Sequence, residues 1–364
     1  MLSIILINLN NFLNSQMAIN EISSKLSKDA LIGFNDQEWE NQLNEWGEKK
    51  FRLKQLKQWI FEKGVDDPLL MSNLSKELKD HLKESAILLG EIHYQIKSKD
   101  GTHKILIKYK DSNEVESVMI PTEKRITYCI SSQVGCAMGC KFCATAKMGI
   151  KRNLTTGEIL SQVFMLRKLT GKSPTHIVFM GMGEPMMNYD NVIRAARILN
   201  SPEGFVIGAR KITISTVGVP HAIKQFADED EQFHLAISLH APNDELRNKI
   251  VPVNSKWNID KILDAARYFN HKTNRIVTFE YVLLAGVNDL KEHAEELRKI
   301  INFPAKINLI PFNDHQSSEF TAPVVARVQF FKNALENLGV RATIRTSRGQ
   351  DIAAACGQLA NERK

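Results

Sequence analysis

The sequence predicts an α/β protein whose core is an incomplete (β/α)6 barrel, the architecture of an open, mostly parallel sheet wrapped by helices. Two observations support this fold class. From about residue 125 onward, strand-like apolar runs alternate with helical runs, the pattern of a parallel sheet with right-handed crossovers. About six such units occupy the next ~225 residues, which is fewer than the eight units of a closed barrel.

A helical head and a short β extension precede this core. Apolar residues recur at helical spacing over residues 21–92, with Pro68 between the second and third helices, and residues 93–121 alternate apolar and polar like an antiparallel meander. The second helix carries cations that could contact RNA phosphates or simply face solvent, and its aromatic residues fit a small core. The cations are Lys49, Lys50, Arg52, Lys54, Lys57 and Lys63; the aromatics are Phe51, Trp59 and Phe61.

The strands of the core follow the extension, each ending before a loop or a helix. We place them at residues 125–130, 176–181, 211–216, 234–240, 276–284 and 306–312, with a seventh at 341–346. Between the first two strands, Thr155 and Glu158 have the spacing of a capping box, and Gly171 marks the end of that helix. We therefore expect a barrel core over residues 122–350, followed by a C-terminal segment, 351–364.

Composition places limits on the class of protein. The 364 residues are 43% hydrophobic and 24% charged, which is ordinary for a globular protein, and no run approaches the roughly 20 apolar residues of a membrane-spanning helix. The net charge of +7 favours a polyanionic partner. Five cysteines without a secreted-type framework indicate a reducing, cytoplasmic setting. We expect residues 1–20 to be a disordered tail, with Met17 as an alternative start, and the protein to be a monomer.

Three cysteines follow the first core strand as C-x-x-x-C-x-x-C: Cys136, Cys140 and Cys143. Three thiolates suit a [4Fe–4S] cluster with one iron left open to bind a small molecule, because a fully protein-ligated cluster takes four. Zinc is the alternative, with Cys129 as a fourth ligand, although zinc sites usually use two short ligand pairs. Disulfides are disfavoured in a reducing compartment.

Polar residues and glycines follow other core strands at the same end. The motif GMGEP (181–185) contributes Gly183 and Glu184, and Ser215, Ser238, His240 and Asn313 follow later strands. Barrel and parallel-sheet enzymes place their chemistry at the carboxyl ends of the strands. Any one of these residues could be a turn former, and His240 alone could be a structural histidine, but together they predict a binding site.

These motifs resemble the radical S-adenosylmethionine superfamily. Within it, the segment 129–149 and the tail GQDIAAACGQL (349–359) closely resemble the RlmN-type RNA methyltransferases, which include the Cfr resistance enzymes. The resemblance implies a [4Fe–4S] cluster on the cysteine triplet and two S-adenosylmethionine molecules per turnover. It also implies S-adenosylmethionine contacts from Gly183, Glu184, Ser215, Ser238, Leu239, His240 and Asn313.

The same resemblance implies the substrate and three catalytic residues. The substrate is C2 of adenine 2503 in 23S ribosomal RNA and C2 of adenine 37 in transfer RNAs, with flavodoxin or ferredoxin as electron donor. Cys356 is implied to carry the methyl group, Cys129 to resolve a covalent protein–RNA adduct through a transient disulfide, and Glu116 to accept the ring proton. C2 of adenine is electron-poor, so ordinary polar transfer from a sulfonium is unfavourable. Without the motif, Cys356 would be taken for a buried small apolar residue and Glu116 for an exposed strand carboxylate.

Three other functions are compatible with parts of this sequence. A Cfr-type enzyme would methylate C8 of the same adenine, although GEPMMN and SQVGCAMGC look closer to the C2 enzymes. A radical-enzyme activase would not need Cys129, Cys356 or a basic head. A zinc-stabilised RNA-binding protein would carry no catalysis.

Overall fold

A computed structural model describes residues 29–315 and 318–361. The predicted tail, residues 1–20, and residues 21–28 of the predicted head lie outside the described residues. The described α-helices are α1 Asp36–Glu45, α2 Phe51–Lys57, α3 Lys76–Ser85, α4 Ala144–Lys147, α5 Thr156–Thr170, α6 Tyr189–Asn200, α7 Pro220–Asp228, α8 Asp244–Ile250, α9 Ile259–Thr273, α10 Lys291–Ile300 and α11 Val325–Asn337. Short turns of other helix types are Leu31–Gly33, Gln58–Glu62, Pro68–Leu70, Pro185–Met187, Ala209–Lys211, Pro252–Ser255 and Gln350–Ile352.

One ten-stranded sheet organises the fold. The strands are β1 Glu91–Lys97, β2 His103–Lys108, β3 Glu114–Pro121, β4 Ile126–Cys129, β5 Gln133–Gly135, β6 Ile150–Asn153, β7 His176–Phe179, β8 Ile212–Thr216, β9 His234–Ser238, β10 Val277–Leu283, β11 Ala305–Pro311 and β12 Ala342–Ile344. Their order in the sheet is β1-β2-β3-β4-β7-β8-β9-β10-β11-β12, while β5 and β6 pair separately. β1 to β4 pair antiparallel, and the pairs from β4 through β12 are parallel.

The predicted fold class is confirmed. Each of the seven predicted core strands is present, including the short β12 at the edge, and the β extension continues the same sheet through the β3–β4 pairing. The predicted cap of α5 is also present: Thr155 and Glu158 bond reciprocally, and Gly171 ends the helix in the left-handed conformation. Apolar side chains between the sheet and its helices, such as Phe179 and Phe269, are fully buried. None of the described helices is long and apolar enough to cross a membrane.

The helical head docks on the barrel through one of its predicted RNA-contacting cations. Lys57 is buried, and its ammonium lies 2.7 Å from Asp36 and 2.5 Å from Glu203, which precedes β8. Lys50 and Arg52 also form ion pairs within the head. Lys57 therefore fits neither alternative, contact with RNA or exposure to solvent, because its charge is used between the head and the barrel.

The aromatic residues of the second helix do not all join a core. Phe61 is buried and half-buried Trp59 packs against the core, as expected, with the Lys63 ammonium over its ring, but Phe51 is 55% exposed. Exposed Phe51 and the exposed lysines Lys49 and Lys54 leave a small amphipathic surface on the head.

Candidate active site

A cavity opens at the carboxyl ends of the parallel strands, and it collects most of the predicted site residues. The cysteine triplet borders it on one side, and the C-terminal segment covers part of it. The site residues predicted from the sequence that line this cavity are Cys136, Cys140, Cys143, Gly183, Glu184, Ser215, Ser238, His240, Asn313 and Cys356.

The cysteine loop, residues 136–149, is held by tight backbone geometry. The amide of Cys136 donates to the carbonyl of Gly149 at 2.9 Å, so the loop closes between β5 and β6. Gly135 allows this closure, because it has φ +75° and a Cβ there would lie 1.8 Å from that carbonyl oxygen. The amide of Lys141 donates to Ile250 of α8, which fixes the middle of the loop.

The three thiols fit a cluster better than a single ion. Burial raises the pKa of each, that of Cys140 to about 12, and neighbouring thiols of the triplet raise the pKa values of Cys136 and Cys140 further. A bound metal group supplies positive charge that stabilises thiolates packed in this way. A [4Fe–4S] cluster with one open iron takes three thiolates, whereas a structural zinc ion usually takes four ligands, so the triplet suits a cluster.

Cys129 lies on the side of the site that carries Cys356. It ends β4, is 6% exposed, and interacts electrostatically with Cys356 and Arg345. These interactions favour a role beside Cys356 over the alternative of a fourth zinc ligand.

Glu184 is a buried carboxylate fixed in the cavity wall. Its two oxygens accept backbone N–H groups from Val217 at 2.7 Å and Met186 at 3.0 Å, and burial raises its pKa to about 7. Gly183 beside it has φ +101°, and a Cβ would lie 2.7 Å from the backbone nitrogen of Gln133. Gly183 thus packs its backbone against Gln133, and the pair presents a rigid acidic wall that is suited to an ammonium group.

His240 and Asn313 are fixed by hydrogen bonds at the same edge. Nδ1 of His240 accepts the N–H of Val282 at 3.0 Å, so the neutral ring carries its proton on Nε2, and burial lowers its pKa to about 3. The Asn313 amide donates to the carbonyl of Cys356 at 3.0 Å and accepts from Gln350 at 2.7 Å. Leu239 differs from the other predicted contacts, because it is fully buried and does not line the cavity.

The C-terminal segment brings Cys356 to the cysteine loop. The carbonyl of Gly357 accepts the N–H of Ala144 at 2.8 Å, and half-buried Cys356 interacts electrostatically with Cys143 and Cys129. Burial, and then Cys356, raise the pKa of the Cys129 thiol to about 12. Two cysteines separated by more than 200 residues in sequence therefore share one site.

Glu116 lies behind this segment and does not line the cavity. It is 1% exposed; one carboxylate oxygen lies 2.7 Å from the Lys104 ammonium, and the other accepts the N–H of Ala360 at 2.9 Å. Burial raises its pKa, against the lowering effect of Lys104. The alternative of an exposed strand carboxylate is wrong.

Three residues near the site escaped sequence analysis. Arg345 follows β12 and lines the cavity, where its charge acts on Cys356, Glu280 and Cys129. Its place just past a core strand was a usable signal. The sequence carries no such signal for Glu280, within β10, or for Lys104, within β2, because the residues that they contact are distant in sequence.

Known proteins resemble this chain over most of its length. The radical SAM superfamily model matches residues 130–301, and the ribosomal RNA large subunit methyltransferase N-terminal domain matches residues 30–88. The chain is 47% identical to the dual-specificity RNA methyltransferase RlmN of Halorhodospira halophila, over 87% of this chain and 89% of that protein. It is 43% identical to a probable dual-specificity RNA methyltransferase RlmN of Synechococcus sp., covering 92% and 99% respectively. The crystal structure of a radical SAM methyltransferase from Sphaerobacter thermophilus superposes with a TM-score of 0.89 at 41% identity, covering 92% of this chain and all of that one.

Proposed function

We propose a specific reaction for this chain, which belongs to the RlmN family of radical S-adenosylmethionine RNA methyltransferases: methylation of C2 of adenine 2503 in 23S ribosomal RNA and of C2 of adenine 37 in transfer RNAs. The observation that carries the proposal is the position of Cys356, which shares one cavity with the cysteine triplet and lies near Cys129. A cluster enzyme that transferred no carbon through sulfur would not need this pair.

The triplet would hold a [4Fe–4S] cluster, and the cavity beside it would hold S-adenosylmethionine. When bound, the cluster supplies an electron that cleaves S-adenosylmethionine and starts radical chemistry. Glu184 offers its fixed carboxylate to the ammonium of the ligand, and Ser215, Ser238, His240 and Asn313 line the same space. We propose two S-adenosylmethionine molecules per turnover, one as the source of the methyl group and one as the source of the radical.

Cys356 accepts the methyl group in the first half of the reaction. Its thiolate displaces the methyl group from the sulfonium, so that carbon becomes attached to the protein before RNA is modified. One hydrogen atom of this S-methyl group would pass to the 5′-deoxyadenosyl radical that cleavage of the second S-adenosylmethionine supplies, and the carbon radical left on the methyl group adds to C2. This order avoids polar attack by an electron-poor ring carbon.

Glu116 and Cys129 complete the second half. Once the adduct has given up one electron, which the cluster would take back, and the C-terminal segment has moved off the Glu116 carboxylate, Glu116 accepts the proton from C2. The Cys129 thiolate then attacks the sulfur of Cys356, which breaks the sulfur–carbon bond, forms a disulfide and leaves the carbon on C2, where one proton completes the methyl group. The charge of Arg345 favours the Cys129 thiolate, because it lowers the pKa that burial raises.

The partners follow from this reaction. The RNA substrates place the protein in the cytoplasm, and the exposed cations of the head, Lys49 and Lys54, are candidates for phosphate contacts. We propose a monomer that receives its electron from flavodoxin or ferredoxin.

Product analysis tests the proposal. Reconstituted protein is incubated with S-adenosylmethionine, a reductant and a ribosomal RNA fragment, and nucleosides are analysed by mass spectrometry against 2-methyladenosine and 8-methyladenosine standards. The proposal predicts 2-methyladenosine. Formation of 8-methyladenosine would support the Cfr-type alternative, and stoichiometric zinc without iron or sulfide would exclude this chemistry altogether.

A further inference from the structure

Arg247 is a fully buried arginine beneath the cavity floor. It lies in α8, nine residues past Ser238 of β9, and its exposed fraction is 0%. Burying a guanidinium is costly unless its donors are satisfied and its charge has a use. The hydrogen-bond partners of the guanidinium therefore indicate the role of this residue.

The guanidinium joins the ends of two neighbouring strands. Nη2 donates to the carbonyls of Val217 at 2.6 Å and Ser238 at 3.1 Å, and Nε donates to the carbonyl of Leu239 at 2.9 Å. Val217 in turn donates its N–H to the Glu184 carboxylate at 2.7 Å. One side chain thus ties β8 and β9 together at the place where the proposed S-adenosylmethionine contacts emerge.

Its remaining bonds are also made to neutral groups. Nη1 donates to the side-chain oxygen of Asn254 at 2.8 Å and to the carbonyl of Trp257 at 3.4 Å. Cys140 of the cysteine loop, when ionised, and then Asp244 act on it electrostatically. The helix that carries Arg247 also contacts the cysteine loop directly, through the bond from Lys141 to Ile250. The buried guanidinium therefore lies on the helix that contacts the cysteine loop, and its own hydrogen bonds all go to neutral groups.

We propose that Arg247 is a positioning residue for the cavity and an electrostatic control of the cluster. Its planar fork holds the ends of β8 and β9 in the arrangement that S-adenosylmethionine requires. Its charge stabilises the reduced, more negative state of the cluster and so raises the reduction potential. This inference rests on the proposed cluster site of Cys136, Cys140 and Cys143.

Two variants separate the two effects. Arg247→Lys keeps the charge but loses the fork, since a lysine ammonium has three donors on a flexible stem. Arg247→Met loses both. Arg341→Met is the control: this exposed residue precedes β12, at the opposite end of the barrel, and its loss changes the net charge equally.

The experiment uses the full-length reconstituted protein without RNA. The midpoint potential is measured by redox titration followed by electron paramagnetic resonance, and binding of S-adenosylmethionine is measured by equilibrium dialysis on the oxidised protein. At an effective dielectric constant of about 20, a unit charge near a buried redox group changes the reduction equilibrium by roughly tenfold. We therefore expect Arg247→Met to lower the potential by about 59 mV.

The other variants should give distinct results. Arg247→Lys should keep the reduction equilibrium within about threefold of the wild type while S-adenosylmethionine binding weakens roughly tenfold. Arg341→Met should change neither quantity. If Arg247→Met is too unstable to carry a cluster, Arg247→Lys still tests the positioning effect, and Arg247→Gln replaces Arg247→Met in the measurement of potential.

Wild-type potentials and wild-type binding in all Arg247 variants would overturn the inference while leaving RNA methylation intact. A wild-type protein that assembles no iron–sulfur cluster would overturn the inference and the proposed function together, and iron and sulfide analysis identifies that case.

Discussion

The buried pair of Lys104 and Glu116 gives the sharpest stability prediction. Both side chains are almost completely buried, and their charged atoms lie 2.7 Å apart. Lys104 also donates to the carbonyl of Ala353, and Glu116 accepts from the amide of Ala360, so the pair anchors the C-terminal segment at two points.

Replacing one partner should cost far more than replacing both. Lys104→Met keeps the length of the side chain but leaves a buried carboxylate without its cation, and breaking a buried pair in this way costs about 3–5 kcal/mol. The double variant Lys104→Met/Glu116→Gln removes both charges, and it should recover most of that loss. The unfolding free energy from urea titration at pH 7.5 measures both effects.

Exposed Lys110 supplies the control, because Lys110→Met should change the unfolding free energy by less than about 0.5 kcal/mol. The reasoning would be refuted if Lys104→Met lowered the unfolding free energy as little as the control does. It would also be refuted if the loss in the double variant equalled the sum of the losses in Lys104→Met and Glu116→Gln measured separately. A functional result should follow: without Lys104 the pKa of Glu116 rises further, so Cys356 should still be methylated while its RNA adduct is resolved slowly.

Three further predictions concern the cavity. Because burial raises the pKa of Glu184 to about 7, its side chain becomes protonated and neutral below that pH. The affinity for S-adenosylmethionine, measured by equilibrium dialysis, should therefore fall as the pH drops through 7. Glu184→Gln should bind S-adenosylmethionine weakly at every pH. Gly135→Ala should abolish cluster assembly, measured as iron per chain, because its Cβ would clash with the carbonyl of Gly149. Gly149→Ala is the control: this glycine has a similar positive φ, but a Cβ would meet open space, so the variant should keep much more of its iron. Asn313→Ala removes the bond to the carbonyl of Cys356 and should speed amide hydrogen exchange in residues 350–360; unchanged exchange would show that this bond does not hold the segment.

Sequence periodicity was enough to predict the barrel. The core strands are apolar runs bounded by turns, and the cap of α5 depends on residues three positions apart, so both are local signals. The carboxyl-end rule likewise predicted that Glu184, His240 and Asn313 would meet in one cavity. These positions follow from the strand pattern alone.

Other features depend on contacts that no local pattern contains. Lys57 looks like an exposed helix cation, yet its acidic partner Glu203 lies far along the chain. The pairing of Glu116 with Lys104 follows from the β2–β3 register and from the docking of the C-terminal segment, which the alternation of each strand does not reveal. Arg247 stands in a polar helix and would be expected at the surface, but the fold places it inside.

The most direct test of the central claim uses the variant Cys129→Ala, incubated with S-adenosylmethionine, reductant and ribosomal RNA, and analysed by mass spectrometry after nuclease and protease digestion. The account predicts a peptide in which Cys356 is joined through one carbon to C2 of adenine, because the thiol that breaks this bond is missing. Free methylated RNA at the wild-type rate, with no such peptide, would contradict it.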